Sequence, residues 1–140
     1  MTEANYKRVF FASALWNLVG GSFIIGATGW IFNSSGVGVP FPAAYYYTWT
    51  AMILVFGLGY CCVYRDMFRN RDIVLMGVIG KTAFSAIFLY YFISHPGQIP
   101  IFFLIPIGGD LVFVVLFVMF LRFVYARIGS EPRLQSEPRP

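Results

Sequence analysis

The chain has 140 residues, of which 59% are hydrophobic and 11% are charged. Soluble domains carry about 25% charged residues, so this composition excludes a soluble globular domain of useful size and indicates a membrane protein. The net charge of +4 comes from basic residues beside the apolar runs. That pattern is typical of the rim of a membrane protein and gives no reason to expect a nucleic-acid partner.

Four apolar runs are long enough to cross a bilayer. A span needs about 20 mainly apolar residues, and the runs cover about residues 9–32, 43–64, 73–94 and 101–125. In hydrocarbon each backbone amide needs a partner within its own segment, so each run is predicted to be an α-helix. The short connections make successive helices antiparallel neighbours. The sequence therefore predicts one domain over residues 1–128, an all-α, membrane-embedded antiparallel four-helix bundle.

The chain after the fourth run is polar and rich in proline. Residues 129–140 contain the sequence SEPR twice. Such a segment cannot bury enough apolar surface to offset its ordering entropy, so it is predicted to be a disordered tail.

Basic residues fall on one side of the predicted bundle. Nine of the ten Lys and Arg residues precede the first run, connect the second to the third, or end and follow the fourth. The other two loops, at 33–42 and 94–100, contain none. The positive-inside rule therefore predicts that both termini are cytoplasmic. We expect a bacterial inner membrane, with anionic lipid headgroups facing the basic cytoplasmic rim.

Two ionisable residues lie inside the apolar runs, Lys81 in the third and Asp110 in the fourth. Such a group costs about 2.5–3.5 kcal/mol at the bilayer centre on insertion scales, so it normally has a partner or a function. From the helical rise, Lys81 and Asn17 lie about 12 Å from the cytoplasmic end of their spans and Asp110 about 16 Å. Their shared depth predicts a polar cluster of Asn17, Lys81 and Asp110.

Small and polar residues recur at helical spacing and mark the inward faces. The third run carries Gly77 and Ser85 on the face of Lys81, and the second carries Gly57 and Tyr60. Small residues let helix backbones approach, and polar residues hydrogen-bond across the gap. Ser85 and Tyr60 are therefore predicted to extend the polar cluster. The same glycine-rich faces are equally compatible with a homodimer.

The loop between the second and third runs is rich in charge. It reads RDMFRNRD at 65–72, with Arg65, Arg69 and Arg71. One interpretation is a topogenic loop whose charges pair with each other. The other is a site for lipid headgroups or a partner protein, because the arginine fork binds phosphate well.

The buried pair has three interpretations. In the first, the protein is a structural subunit in which Lys81 and Asp110 only fix helix packing. In the second, they lie in a polar pocket for a lipophilic ligand such as a quinone or a lipid, or for a membrane redox complex. In the third, the protein is a small transporter or proton-coupled carrier, although we see no internal repeat of the kind typical of transporters.

The sequence favours a non-enzymatic or accessory role, with a subunit of an enzyme acting on quinone or lipid as a further alternative. The single histidine, His95, lies in a loop, and no set of Cys, His and carboxylate residues has the spacing of a metal site. No Ser-His-Asp arrangement or glycine-rich phosphate motif is present. We therefore assign no catalytic residue and no metal ligand, and quinone is the one cofactor that we consider.

Five short motifs resemble those of a known group. They are FGLGY (56–60), RD (65–66), NR (70–71), GVIGK (77–81) and GDLVF (109–113). They look like the motifs of a widespread group of small, uncharacterised four-span bacterial membrane proteins. That group is similar, more loosely, to the DoxX-like proteins, which are often linked to quinone-related redox complexes. The resemblance implies an antiparallel four-helix bundle with an accessory redox role, and it carries over no catalytic residue.

Overall fold

The structure is a computed structural model that describes residues 1–130, and within this range the chain is helical and contains no strand. The helices are α1 (Glu3–Gly26), α2 (Thr28–Asn33), α3 (Ala43–Arg65), α4 (Arg71–Ser94) and α5 (Leu104–Ser130), the last preceded by a 3₁₀ turn (Ile101–Phe103). Helices α1, α3, α4 and the segment Ile101–Ile128 are long and apolar enough to cross a membrane. The protein is an all-α four-helix bundle and a multi-pass integral membrane protein, which confirms the predicted fold class. Residues 131–140 of the predicted tail lie outside the described residues.

The first predicted span is divided into two helices. Gly26 ends α1 and Thr28 begins α2, with Ala27 between them at φ −102° and ψ 13°. The Thr28 hydroxyl donates to the Ile24 carbonyl at 2.9 Å, and the Tyr46 hydroxyl donates to the same carbonyl at 3.3 Å. Side-chain hydroxyls thus donate hydrogen bonds to a backbone carbonyl beside the break, as a low-dielectric environment requires.

The bundle consists of two close helix pairs, α1 with α3 and α4 with α5. Glycines permit the first pairing. A Cβ atom added at Gly57 would lie 2.8 Å from Leu18 Cδ2, and one added at Gly21 would lie 2.8 Å from Leu54 Cδ2. Larger residues would push the helices apart, whereas small ones let the backbones approach. Contact between the two pairs is sparser, and this leaves space in the interior.

The core has two apolar layers. One lies at the end of the bundle where the chain begins, and its fully buried residues include Phe10, Tyr60, Phe117 and Phe120. The other lies near the opposite end and includes Ile24, Ile31, Tyr46 and Phe103. The segments between these layers carry the buried polar residues Asn17, Thr50, Lys81 and Ser85. Four of the six buried polar residues of the described chain thus lie at mid-height, and the other two are Ser13 and Thr28.

Both ends of the described chain lie at the same end of the bundle. The Arg127 side chain near the end of α5 donates to the Glu3 carboxylate at the start of α1. Both side chains are about half exposed, so the pair adds little stability. The contact shows that the start of α1 and the end of α5 lie side by side.

Candidate functional site

Lys81 and Asp110 form an ion pair between α4 and α5. Lys81 Nζ lies 2.5 Å from Asp110 Oδ1, and the two side chains are 7% and 13% exposed. Little solvent reaches these buried side chains to screen their charges. Each charge therefore depends on the other for its compensation. The structure thus places in contact the two residues that depth alone predicts to be neighbours.

Asn17 links this pair to α1 and α3. Lys81 Nζ donates to Asn17 Oδ1 at 3.1 Å, while Asn17 Nδ2 donates to the Ile53 carbonyl of α3 at 3.2 Å. The second bond orients the amide so that its oxygen faces the ammonium group. One buried lysine is thereby connected to all four long helices.

Trp16 belongs to the cluster, and the sequence analysis missed it. Its indole Nε1 donates to Asp110 Oδ1 at 3.2 Å. The ring lies over Gly109, where any added side chain would collide with it. One signal was available, because Trp16 precedes Asn17 at the predicted depth and a buried indole N–H usually has an acceptor.

Tyr60 and Ser85 lie near the ion pair without bonding to it. The Lys81 ammonium lies over the rings of Tyr60 and Phe113, at 5.8 Å and 5.7 Å from their centroids, within range of a cation–π interaction. The hydroxyls of Tyr60 and Ser85 are buried and have no hydrogen-bond partner within residues 1–130. Of the predicted cluster, the structure joins Asn17, Lys81 and Asp110, adds Tyr60 through its ring, and leaves Ser85 unbonded.

The cluster retains unused hydrogen-bonding capacity. A lysine ammonium has three donors, and Lys81 uses two of them. Asp110 accepts both of its hydrogen bonds at Oδ1, so Oδ2 has no partner within the described chain. The site therefore offers one free donor at Lys81 and one free acceptor at Asp110. Unpaired polar groups are costly in an apolar interior, so these atoms favour any molecule that can bond to them.

A cavity of about 800 Å³ adjoins the cluster. This volume is within the range of about 300–1,000 Å³ typical of small-molecule pockets. Its polar lining consists mainly of Asn17, Tyr60, Lys81 and Asp110, and the rest of its wall is aliphatic and aromatic. It lies between the two helix pairs and also borders Gly20, where an added Cβ atom would meet nothing within 4 Å.

One wall of the cavity is aromatic. Trp49 stacks on Phe84 with ring centroids 5.5 Å apart and planes 19° apart, and on Phe88 with centroids 5.6 Å apart. Trp49 and Phe84 both line the cavity. The cavity thus combines a charged, hydrogen-bonding region with flat apolar surfaces.

The arginine loop is separate from this cluster. The Asp66 carboxylate accepts the backbone N–H of Arg69 at 3.0 Å, and within residues 1–130 the loop's arginines form no ion pair with its aspartates. The charges of the loop therefore do not pair with each other in the described chain, and the topogenic role of the loop stays a prediction. Arg71 lines a smaller groove together with Arg127, while Arg65 and Arg69 are exposed.

No group of His, Cys, Asp or Glu side chains in the described part of the chain is placed to hold a metal ion. Comparisons of the chain with protein-family models, with curated proteins and with solved structures find no match.

Proposed function

We propose that the protein binds a lipophilic small molecule with a polar head, such as a quinone or a lipid, in the intramembrane cavity. The observation that carries this proposal is a cavity of about 800 Å³ beside a buried ion pair with unused donors and acceptors. The cavity is open towards the exposed residues Val19 and Ile105 of its lining, so a lipophile could enter it from the membrane. An ion pair that served only to fix helix packing would need no such space beside it.

The bound head would lie at the Lys81–Asp110 pair. A carbonyl oxygen would accept the third N–H of Lys81, and a hydroxyl would donate to Asp110 Oδ2. The apolar part would lie along the aliphatic and aromatic walls, which include Trp49 and Phe84. Carbonyl and hydroxyl groups occur in quinones, in quinols and in glycerolipids.

The proposed setting is a bacterial inner membrane with both termini in the cytoplasm. Arg65, Arg69 and Arg71 would then face anionic headgroups of the inner leaflet. We assign no catalytic residue, so the role is that of an accessory protein that holds or delivers its ligand. If the ligand is a quinone, a membrane redox complex is the corresponding partner.

The test is to purify the protein in mild detergent and identify co-purifying lipids and quinones by mass spectrometry. We expect the wild type to retain a particular lipophile in near-stoichiometric amount. Gly20→Leu should lose it, because the new side chain enters space that borders the cavity and contacts no atom within 4 Å of the Cβ position.

Gly108→Leu is the matched control. It is the same substitution in a helix interior, at an exposed glycine that is also open within 4 Å but does not line the cavity. It should retain the lipophile as the wild type does. Equal retention by all three proteins would contradict a binding pocket and would favour a purely structural role for the ion pair.

A further inference from the structure

The charges that line the cavity sum to zero. Lys81 and Asp110 are the charged residues of its lining, and their charged atoms are 2.5 Å apart. The ammonium group therefore already has its counter-charge within the protein. Other basic side chains lie elsewhere, for example Arg71 and Arg127 beside the separate groove at the end of the bundle.

A charged headgroup would enter this cavity without compensation. Moving an ionised group from water into an apolar environment is very costly unless an opposite charge pairs with it. A phosphate or carboxylate at Lys81 would also compete with Asp110 and leave two negative charges beside one positive charge. Neutral hydroxyl and carbonyl groups avoid this cost and still use the free donor and acceptor atoms.

We propose that the site selects amphiphiles with an uncharged hydroxyl or carbonyl head and rejects lipids with an ionised head, such as phospholipids and fatty acids. This inference rests on the proposed function, because it names the class of ligand that the same cavity takes. The ion pair then acts as a neutral, strongly polar unit that hydrogen-bonds to the head and needs no opposite charge on it.

The cavity contains its own reporters. Trp16 and Trp49 line it, whereas Trp30 does not and is 61% exposed. In a Trp30→Phe background, fluorescence of the full chain comes from the two tryptophans of the cavity wall. Brominated acyl chains that enter the cavity should quench this fluorescence in a saturable manner.

Two probes with identical brominated chains isolate the headgroup. Diacylglycerol is neutral, and phosphatidic acid differs from it only by an ionised phosphate. In detergent micelles, we expect diacylglycerol to give saturable quenching and phosphatidic acid to bind at least about tenfold more weakly. Equal or tighter binding of phosphatidic acid would overturn the selectivity and leave the pocket in place. Quenching that saturates with neither lipid would overturn the pocket as well.

The preference should reverse when the counter-charge is removed. Asp110→Asn leaves the ammonium of Lys81 uncompensated, so this variant should prefer phosphatidic acid to diacylglycerol. The double variant, Lys81→Met with Asp110→Asn, has no charge in the cavity and lacks the hydrogen bonds of the pair, so it should bind diacylglycerol more weakly than the wild type does but still in preference to phosphatidic acid. It is the control for the loss of the carboxylate itself. If Asp110→Asn does not fold, the test of selectivity rests on the wild type and the double variant. A preference for phosphatidic acid in either of these proteins contradicts the inference.

Discussion

A single lysine at mid-height bonds to two other helices of the bundle. Lys81 Nζ contacts Asn17 Oδ1 at 3.1 Å and Asp110 Oδ1 at 2.5 Å. Replacing a buried ion pair by apolar residues is often neutral, whereas removing one partner leaves an uncompensated charge. The stability of this protein should therefore depend on the balance between the two charges more than on either residue alone.

Single and double substitutions of the pair should be strongly non-additive. Lys81→Met and Asp110→Asn should each lower the free energy of unfolding by about 3–5 kcal/mol, because each leaves one buried charge unpaired. The double variant should recover most of this loss. Thermal denaturation of the four proteins in the same detergent measures the effect.

A double variant that is no more stable than the less stable of the two single variants would mean that the two residues do not interact. Ligand retention then separates the two roles of the pair. If the double variant is stable and has lost its co-purifying lipophile, the pair contributes to binding. If it keeps the lipophile, the pair serves packing alone.

The hydrogen bond from Trp16 to Asp110 should contribute to stability. Trp16→Phe keeps an aromatic ring over Gly109 but removes the indole N–H that Asp110 accepts at 3.2 Å. We expect a loss of about 1.5 kcal/mol, the lower range for a hydrogen bond to a charged group, since Lys81 still pairs with the carboxylate. Thermal denaturation measures it. Trp49→Phe is the control, because Trp49 contributes ring contacts and its indole N–H has no hydrogen bond within the described chain. Equal losses would assign the effect to ring size.

The sequence predicts some members of the cluster and not others for a physical reason. The rise of a helix is fixed, so depth along the membrane normal follows from counting residues, and depth brought Asn17, Lys81 and Asp110 together. The rotation of α1 against α5 depends on packing between helices that are distant in the chain. Counting residues does not reveal that rotation, and this is why the bond from Trp16 to Asp110 was missed.

At the scale of the helices, glycine determines how closely α1 and α3 approach. A Cβ atom at Gly57 would lie 2.8 Å from Leu18 Cδ2 and 3.2 Å from Asn17 Cβ. The same contact therefore affects both the helix pairing and the residue that orients Lys81. Packing and site geometry are coupled at this position.

Gly57→Ala should destabilise the protein by about 1–3 kcal/mol, the usual cost of overpacking. Gly108→Ala is the matched control, since nothing lies within 4 Å of its Cβ position. That change should leave stability unchanged or raise it slightly, because alanine favours a helix over glycine by about 1 kcal/mol. Thermal denaturation of both variants gives the comparison. Equal stability of the two variants would show that the α1–α3 contact is not tight.

The sequence predicts a helix end where proline or charged residues mark it, and it does not predict the other ends. The second run, about 43–64, nearly matches α3 at Ala43–Arg65, because Pro42 precedes the helix and charged residues follow it. The break at Ala27 lies inside a continuous apolar run, so hydropathy gives no sign of it. Its stability depends on a hydrogen bond from Tyr46, which belongs to another helix.

At the scale of the whole molecule, the cavity is a property of assembly. Periodic small and polar residues identify the inward face of each helix, but they do not fix the distance between the two helix pairs. That distance follows from bulky contacts at both ends, such as Phe10 with Phe117 at 5.6 Å and Trp49 with Phe103 at 5.9 Å between ring centroids. The sequence therefore does not predict the volume of the cavity between these contacts.

The orientation of the bundle in the membrane follows from where its basic residues lie. The contact between Glu3 and Arg127 puts the two ends of the described chain at one end of the bundle, and the loop of Arg65 lies at that end too because the helices alternate in direction. Nine of the ten basic residues belong to this end or to the tail, and the opposite loops have none, so we expect it to face the cytoplasm. Reporter fusions after Gly36 and Phe68 should report opposite sides, with Phe68 inside. A cytoplasmic reading at Gly36 would contradict this orientation.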